Sequence, residues 1–181
     1  MRLQELFHHS SHLLYPVFSP YTNITSQNAY EINNYFETEI SDISTQKDQL
    51  LDIDWFYINY LLPLDTEMEL IDLQSNTTFL AKRIGGINHA DIEFDKENLK
   101  QLKEVVQNWS WNRRPVLLKL NESTYLPASI ACYPHGYCDK SQIGHFCLHF
   151  KNSKMHGTNR IDLKHQKAIE DVQSKFKDYI Q

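Results

Sequence analysis

The spacing of apolar residues changes period about a third of the way along the chain. Tyr30, Ile32, Phe36 and Ile40, then Leu50, Leu51, Trp55, Ile58 and Leu62, recur at roughly helical intervals. This predicts two helices joined by the polar stretch Ser41 to Lys47. From Glu67 the period becomes two. Glu67 to Leu73 and Thr77 to Ile84 read as strands joined by a turn at Gln74-Ser75-Asn76, and Gly85-Gly86 interrupts the run. In the next alternation Ala90, Ile92 and Phe94 share one face while His89, Asp91 and Glu93 share the other. Asp95 then fits a helix N-cap, ahead of an apolar stripe of Leu99, Leu102, Val105, Val106 and Trp109.

Val116 to Leu120 and Tyr125 to Cys132 read as two further strands, turning around Asn121-Glu122-Ser123. Pro127 has no amide proton to give a ladder, which predicts an edge position or a bulge there. Gly144 to Phe150 alternates strictly: Phe146, Leu148 and Phe150 face one way to bury, and His145, Cys147 and His149 face the other. A closing amphipathic helix turns Ala168, Ile169, Val172, Phe176 and Tyr179 inwards and leaves Lys167, Glu170, Lys175 and Lys177 wet.

The pattern predicts an α+β fold. A β-rich domain over residues 63–181, mostly antiparallel sheet with two packed helices, follows an N-terminal helical segment over residues 1–62. That segment is open to three readings: a docking surface for a protein partner, a flap over substrate, or part of the main core.

With 181 residues and a net charge of -5, the chain has no basic footprint for nucleic acid. No apolar run approaches the roughly 18 residues of a membrane span. The first residues, Met1-Arg2-Leu3-Gln4-Glu5, lack the pattern of a signal peptide, which points to the cytoplasm unless the substrate lies outside it. The cysteines are Cys132, Cys138 and Cys147. Cys132 and Cys138 either pair in an oxidising compartment, leaving Cys147 as the lone thiol, or all stay free.

Cys147 is the candidate nucleophile, because an imidazole beside a thiol can lower its pKa and carry its proton. His135, in the Pro134-His135-Gly136 turn, is the candidate base, with Gly136 permitting close backbone approach to a substrate. His145 and His149 lie two residues either side of Cys147, roughly 7 Å away along a strand, which suits substrate contact better than a direct hydrogen bond. Asp91 or Glu93 is placed to orient a catalytic imidazole, and His89 joins them as a substrate contact. Arg113 and Arg114, beside Trp109 and Trp111, offer bidentate recognition of a carboxylate, or else simply end a helix. Ser153 and His156 fit turn hydrogen bonds.

The same side chains support a metal. His135, Cys138, His145, Cys147, His149 and His156 supply nitrogen and sulfur ligands of the kind zinc favours. His135, His145, Cys147 and His149 form the candidate set, although no Cys-x-x-Cys or His-Glu-x-x-His spacing is present.

His135-Gly136 and His145-Phe146-Cys147-Leu148 resemble the catalytic region of the L,D-transpeptidases, which carry a His-Gly pair and a Ser/Thr-His-Gly-Cys-Ile/Val-Arg segment on a β-rich fold. The resemblance implies Cys147 as acyl-accepting nucleophile, His135 as its base, and the backbone around Phe146 and Cys147 as oxyanion hole. This chain departs from that pattern with Gly144 in place of Ser/Thr, Phe146 in place of Gly and His149 in place of Arg. From Glu67 to Gln166 it is also similar to an uncharacterised bacterial family with His-Ala-Asp, Trp-Ser-Trp-x-Arg-Arg, Pro-His-Gly and Gly-His-Phe-Cys-x-His-Phe.

Three functions follow as expectations. The first is cysteine-dependent acyl transfer or hydrolysis on peptide substrates, including peptidoglycan stems, with no cofactor. The second is a zinc-binding hydrolase or structural zinc domain. The third is a non-enzymatic protein-binding module using residues 1–62.

Overall fold

A computed structural model describes residues 48–136 and 144–179. The predicted helix around Tyr30 to Ile40, the linker Ser41 to Lys47 and Cys138 lie outside the described residues.

The elements run β1 (Gln49–Leu50), α1 (Trp55–Leu61), β2 (Glu67–Asp72), β3 (Thr77–Gly85), β4 (Ala90–Phe94), α2 (Lys96–Val106), β5 (Arg113–Lys119), β6 (Thr124–His135), β7 (His145–His149) and α3 (Leu163–Tyr179). Sheet order is β1-β6-β5-β2-β3-β4-β7, and β7 returns to pair with β6. The circuit β2-β3-β4-β7-β6-β5 therefore closes on itself, which removes the open edges an antiparallel sheet otherwise presents. Every pairing in that circuit is antiparallel. Only β1 runs parallel, against the start of β6. The predicted mostly antiparallel sheet is thus present, in the form of a barrel.

Closure rests on the length of β6. Its first residues pair with β1 up to Tyr125, and its later residues pair with β7 from Ser129. Pro127 sits between them, in the stretch that changes partners on that side, while its other side meets Leu117 of β5. A proline is tolerated there because no ladder bond is asked of its nitrogen.

The period-two pattern now acquires an inside and an outside. Met68, Leu70, Phe79, Ala81, Ala90, Ile92, Phe94, Val116, Leu118, Leu126, Ala128, Ile130, Phe146, Leu148 and Phe150 form one buried cluster within the barrel. Ile71, Leu117 and Tyr125 point outwards and are covered by Val172 and Phe176 of α3. The predicted inward stripe of that last helix is buried at Ala168, Ile169, Val172 and Phe176.

α2 begins after Asp95, whose carboxylate accepts the Asn98 backbone N–H at 2.7 Å. The periodicity predicts a helix from Leu50, but Leu50 pairs in β1, and α1 starts only after its own N-cap, Asp54. Ile58 and Leu62 of this stretch are buried in the barrel's cluster. These residues, at the end of the stretch 1–62, share the core of the β-rich domain, which is one of the three readings open to that stretch. No helix of the described residues is long and apolar enough to cross a membrane.

Leu148 is fully enclosed at the centre of this core. Leu148→Ala is expected to cost about 2–5 kcal/mol through lost transfer energy and a residual cavity. Urea unfolding should show a lower midpoint at an unchanged slope.

Candidate metal centre

The outer face of β4, β7 and β6 carries the polar half of each alternation. Asp91 of β4 and Ala131 of β6 both stand opposite Cys147 of β7. Further along, His135 stands opposite His145, past an irregularity in the β6–β7 register. Three separate stretches of sequence thus deliver Asp91, His135, His145 and Cys147 to one patch of sheet.

Two glycines make this approach possible. Gly136 has φ +68°, and a Cβ there would lie 2.5 Å from Cε1 of His145. Gly144 has φ +91°, and a Cβ would lie 2.4 Å from the His135 carbonyl oxygen. Sequence suggested that Gly136 leaves room for substrate; in the structure the His145 ring occupies that room.

The segment after β7 covers the patch. Phe150 donates its N–H to Ser153 Oγ at 2.9 Å, so Ser153 makes the expected turn bond. Lys154 N–H donates to the Asn88 carbonyl at 2.8 Å, and Asn88 Nδ2 donates to the Met155 carbonyl at 3.2 Å. These bonds bring His156 over the sheet, where its Nε2 lies 3.0 Å from Asp91 Oδ1.

The hydrogen bonds fix which ring nitrogens carry protons. A carbonyl oxygen only accepts, so a ring nitrogen bonded to one must donate. His89 Nδ1–H donates to the Lys154 carbonyl at 2.6 Å, and His135 Nδ1–H to the Tyr133 carbonyl at 2.9 Å. In the neutral rings both Nε2 atoms are then bare lone pairs. Both face Cys147 Sγ, at 3.0 Å from His89 and 3.2 Å from His135. A thiol has one proton and satisfies only one of them.

His89 Nε2 is 3.5 Å and His145 Nε2 3.6 Å from Asp91 Oδ1. His145 Nε2 is buried and makes no hydrogen bond among the described residues. The ligand atoms of His135, His145, Cys147 and His156 all lie within 4.8 Å of one another, as do those of His89, Asp91, Cys147 and His156. Ligands about 2.0–2.3 Å from a zinc ion stand roughly 3.3–3.6 Å apart on a tetrahedron.

Charge is scarce here. Burial pushes the Cys147 thiol up to about 12, and Asp91 pushes the same way. For Asp91, burial raises the pKa, but His89, His145 and His156 together outweigh it and hold the carboxyl below its usual range. Burial also favours the neutral form of His145, against the pull of Asp91.

Other expected site residues fall elsewhere. His149 lies beyond the cluster, buried, its ring stacked 4.1 Å from His89 and 3.7 Å from His165. Burial and the nearby His165 depress its pKa. Arg113 donates to Asp162 at 2.6 Å, and Arg114 grips Asp72 through Nε at 3.0 Å and Nη2 at 2.6 Å. Both guanidinium groups, expected to meet a substrate carboxylate, hold internal ones. Glu93 stands opposite Lys82 of β3, away from the cluster. Cys132 is a free thiol buried in the barrel.

Sequence reasoning counted His156 among the possible zinc donors but left it out of the candidate set in favour of a turn role, and it missed His165. The signal for His165 was its place on the inward stripe of the last helix, three and four residues before Ala168 and Ile169. Its Nδ1 meets Ser129 Oγ at 2.9 Å.

A cleft of about 420 Å³ opens beside the cluster, lined in part by Asn59, Gly86, Asn88, Asp91 and His156. Arg83 shapes it. This buried guanidinium donates to the Asn59 and Leu62 carbonyls of the α1 region and to the Gly85 and Gly86 carbonyls, the last at 2.6 Å. The double glycine is thus the cleft's wall.

The chain matches no protein-family model, curated protein or solved structure.

Gly144→Ala is expected to destabilise the protein by roughly 1–3 kcal/mol or more, because the strained φ is joined by a clash with the His135 carbonyl. Gly157→Ala, at φ +72° with nothing near its Cβ position, should cost less. Denaturation of the two variants side by side measures the contribution of the clash.

Proposed function

We propose that this protein is a metal-dependent hydrolase, with zinc held by His89, Asp91 and Cys147 and His156 standing at the cleft side. One observation carries the reading: imidazoles whose Nδ1–H groups are tied to backbone carbonyls turn bare Nε2 atoms towards a thiol and a carboxylate. Tying the outer nitrogen to a carbonyl is how metal-ligating histidines are commonly oriented. Nitrogen, sulfur and oxygen donors together suit zinc.

A divalent cation also answers the electrostatic problem. Acceptors facing acceptors in a buried place repel one another unless a proton or a cation lies between them. A coordinating thiol is deprotonated outright, so burial no longer keeps Cys147 in its neutral form.

When bound, zinc lowers the pKa of a coordinated water to about 7. His156 is half exposed at the cleft and 3.0 Å from Asp91. It takes a proton from the water that attacks a substrate carbonyl carbon. The same proton passes to the leaving amine as the carbon–nitrogen bond breaks, so the balance is that of amide hydrolysis. Apart from Asp91 and the buried Arg83, whose donors are spent on Asn59, Leu62, Gly85 and Gly86, the cleft is lined by uncharged residues and His156, which fits a peptide-like substrate rather than a polyanion.

A second reading is favoured by the Cys147–His135 pair itself. At 3.2 Å, with the Tyr133 carbonyl holding the other nitrogen, it is the nucleophile and base arrangement that the L,D-transpeptidase resemblance implies. Against it, Cys147 is 5% exposed and is not among the residues that line the cleft.

Purified protein should carry at least one equivalent of zinc by elemental analysis. Cys147→Ala and His89→Ala should lose it, whereas His156→Ala should keep zinc and lose hydrolysis of a peptide nitroanilide series. Metal-free protein that acylates at Cys147 with a β-lactam or peptide thioester, seen as a mass shift, would decide for the second reading.

A further inference from the structure

The donor count exceeds what one tetrahedral ion takes. His89, Asp91, His135, His145, Cys147 and His156 offer six ligand atoms, in two overlapping groups that share Cys147 and His156. A single ion on His89, Asp91 and Cys147 leaves His135 Nε2 and His145 Nε2 without a use. The first is a bare lone pair 3.2 Å from Sγ, its own proton committed to the Tyr133 carbonyl. The second is buried with no hydrogen-bond partner among the described residues, and its side chain is 13% exposed. An unsatisfied buried nitrogen is costly, and that atom of His145 together with the His135 lone pair, which must share one thiol proton with His89, calls for a common partner.

We propose that the centre is dinuclear, with a second divalent transition-metal ion on His135 and His145 and the Cys147 thiolate bridging the pair. This rests on the reading of the first site as a metal centre and extends it. Thiolate sulfur has lone pairs for two ions, while an imidazole nitrogen has one. The shared atom must therefore be Sγ, and it is the atom that both His89 and His135 face. Ions about 3.5–4 Å apart, the usual separation of paired catalytic metals, fit a single sulfur about 2.3 Å from each. Each ion then has two donors of its own, His89 with Asp91 and His135 with His145. His156, common to both groups, faces the seam between them.

The fold supports this division. Asp91 reaches Cys147 across the β4–β7 pairing, and His135 and His145 meet across the β6–β7 pairing. β7 therefore lies between the two half-sites, and the register of each ladder sets one of them.

The test is a metal count on the full chain. Metal-free protein is loaded with Zn²⁺ or Co²⁺, desalted and measured. The expected result is two equivalents, falling to one in His145→Gln and in His135→Gln. The dicobalt form should show a weakened electron paramagnetic signal per ion through coupling across the sulfur, restored to full strength per ion in either variant. One equivalent in the wild type, independent of His135 and His145, overturns the dinuclear proposal and leaves the hydrolase reading standing. Two equivalents that persist in both variants place the second ion elsewhere and also overturn it. Less than about a tenth of an equivalent in the wild type overturns both. Circular dichroism confirms that each variant is folded, and if either glutamine variant is not, the coupling in wild-type dicobalt protein decides alone.

Discussion

The pairing of β7 between β4 and β6 is the constraint on which fold and site both depend. It closes the barrel, and it does so with a strand that gives one face to the core and the other to the cluster. Phe146 and Leu148 fill the interior, while Cys147 and His145 hold the outer face at fixed distances from Asp91 and His135. Because a strand's side chains alternate, a slip of one residue would send the histidines into the core and the apolar residues to the surface. The transfer energy of the inner row thus stabilises the register of the outer row. Site geometry is held by core packing, without a dedicated scaffold.

Around that strand the protein fixes the ring orientation of two histidines, His89 and His135. The Lys154 and Tyr133 carbonyls each take an Nδ1 proton. Behind His89, the rings of His149 and His165 stack in a dry layer where burial suppresses their protonation. Arg113 and Asp162 neutralise each other nearby. What remains facing the cluster is a set of lone pairs and one carboxylate, an environment that favours a cation over a free thiolate. Of the cluster, Asp91 and His156 line the cleft.

Much of the ladder was legible in the sequence because period two and turn residues are local signals. The two faces of Gly144 to Phe150, the Asp95 cap and the inward stripe of the last helix all follow from spacing alone. Closure was not legible: it depends on β6 being long enough to serve three partners, which no local pattern encodes. Nor was the start of α1, where Asp54 caps a helix that periodicity alone would begin at Leu50. At the site, the pairing of His135 with Cys147 was anticipated, and so was the relevance of Asp91. His156 was legible only as one of six nitrogen and sulfur donors; its place beside Asp91 was not, because it sits in an aperiodic loop that the bonds from Lys154 and Asn88 bring over the sheet. Arg113 and Arg114 looked available for a ligand because their partners, Asp162 and Asp72, are distant in sequence.

The central claim is that the sulfur of Cys147 binds a metal. X-ray absorption at the zinc edge of the loaded protein tests it directly. The expected spectrum has a mixed coordination shell, with one sulfur at about 2.3 Å and nitrogen or oxygen at about 2.0–2.1 Å. A shell of nitrogen and oxygen alone, unchanged when Cys147 is replaced by alanine, would contradict it.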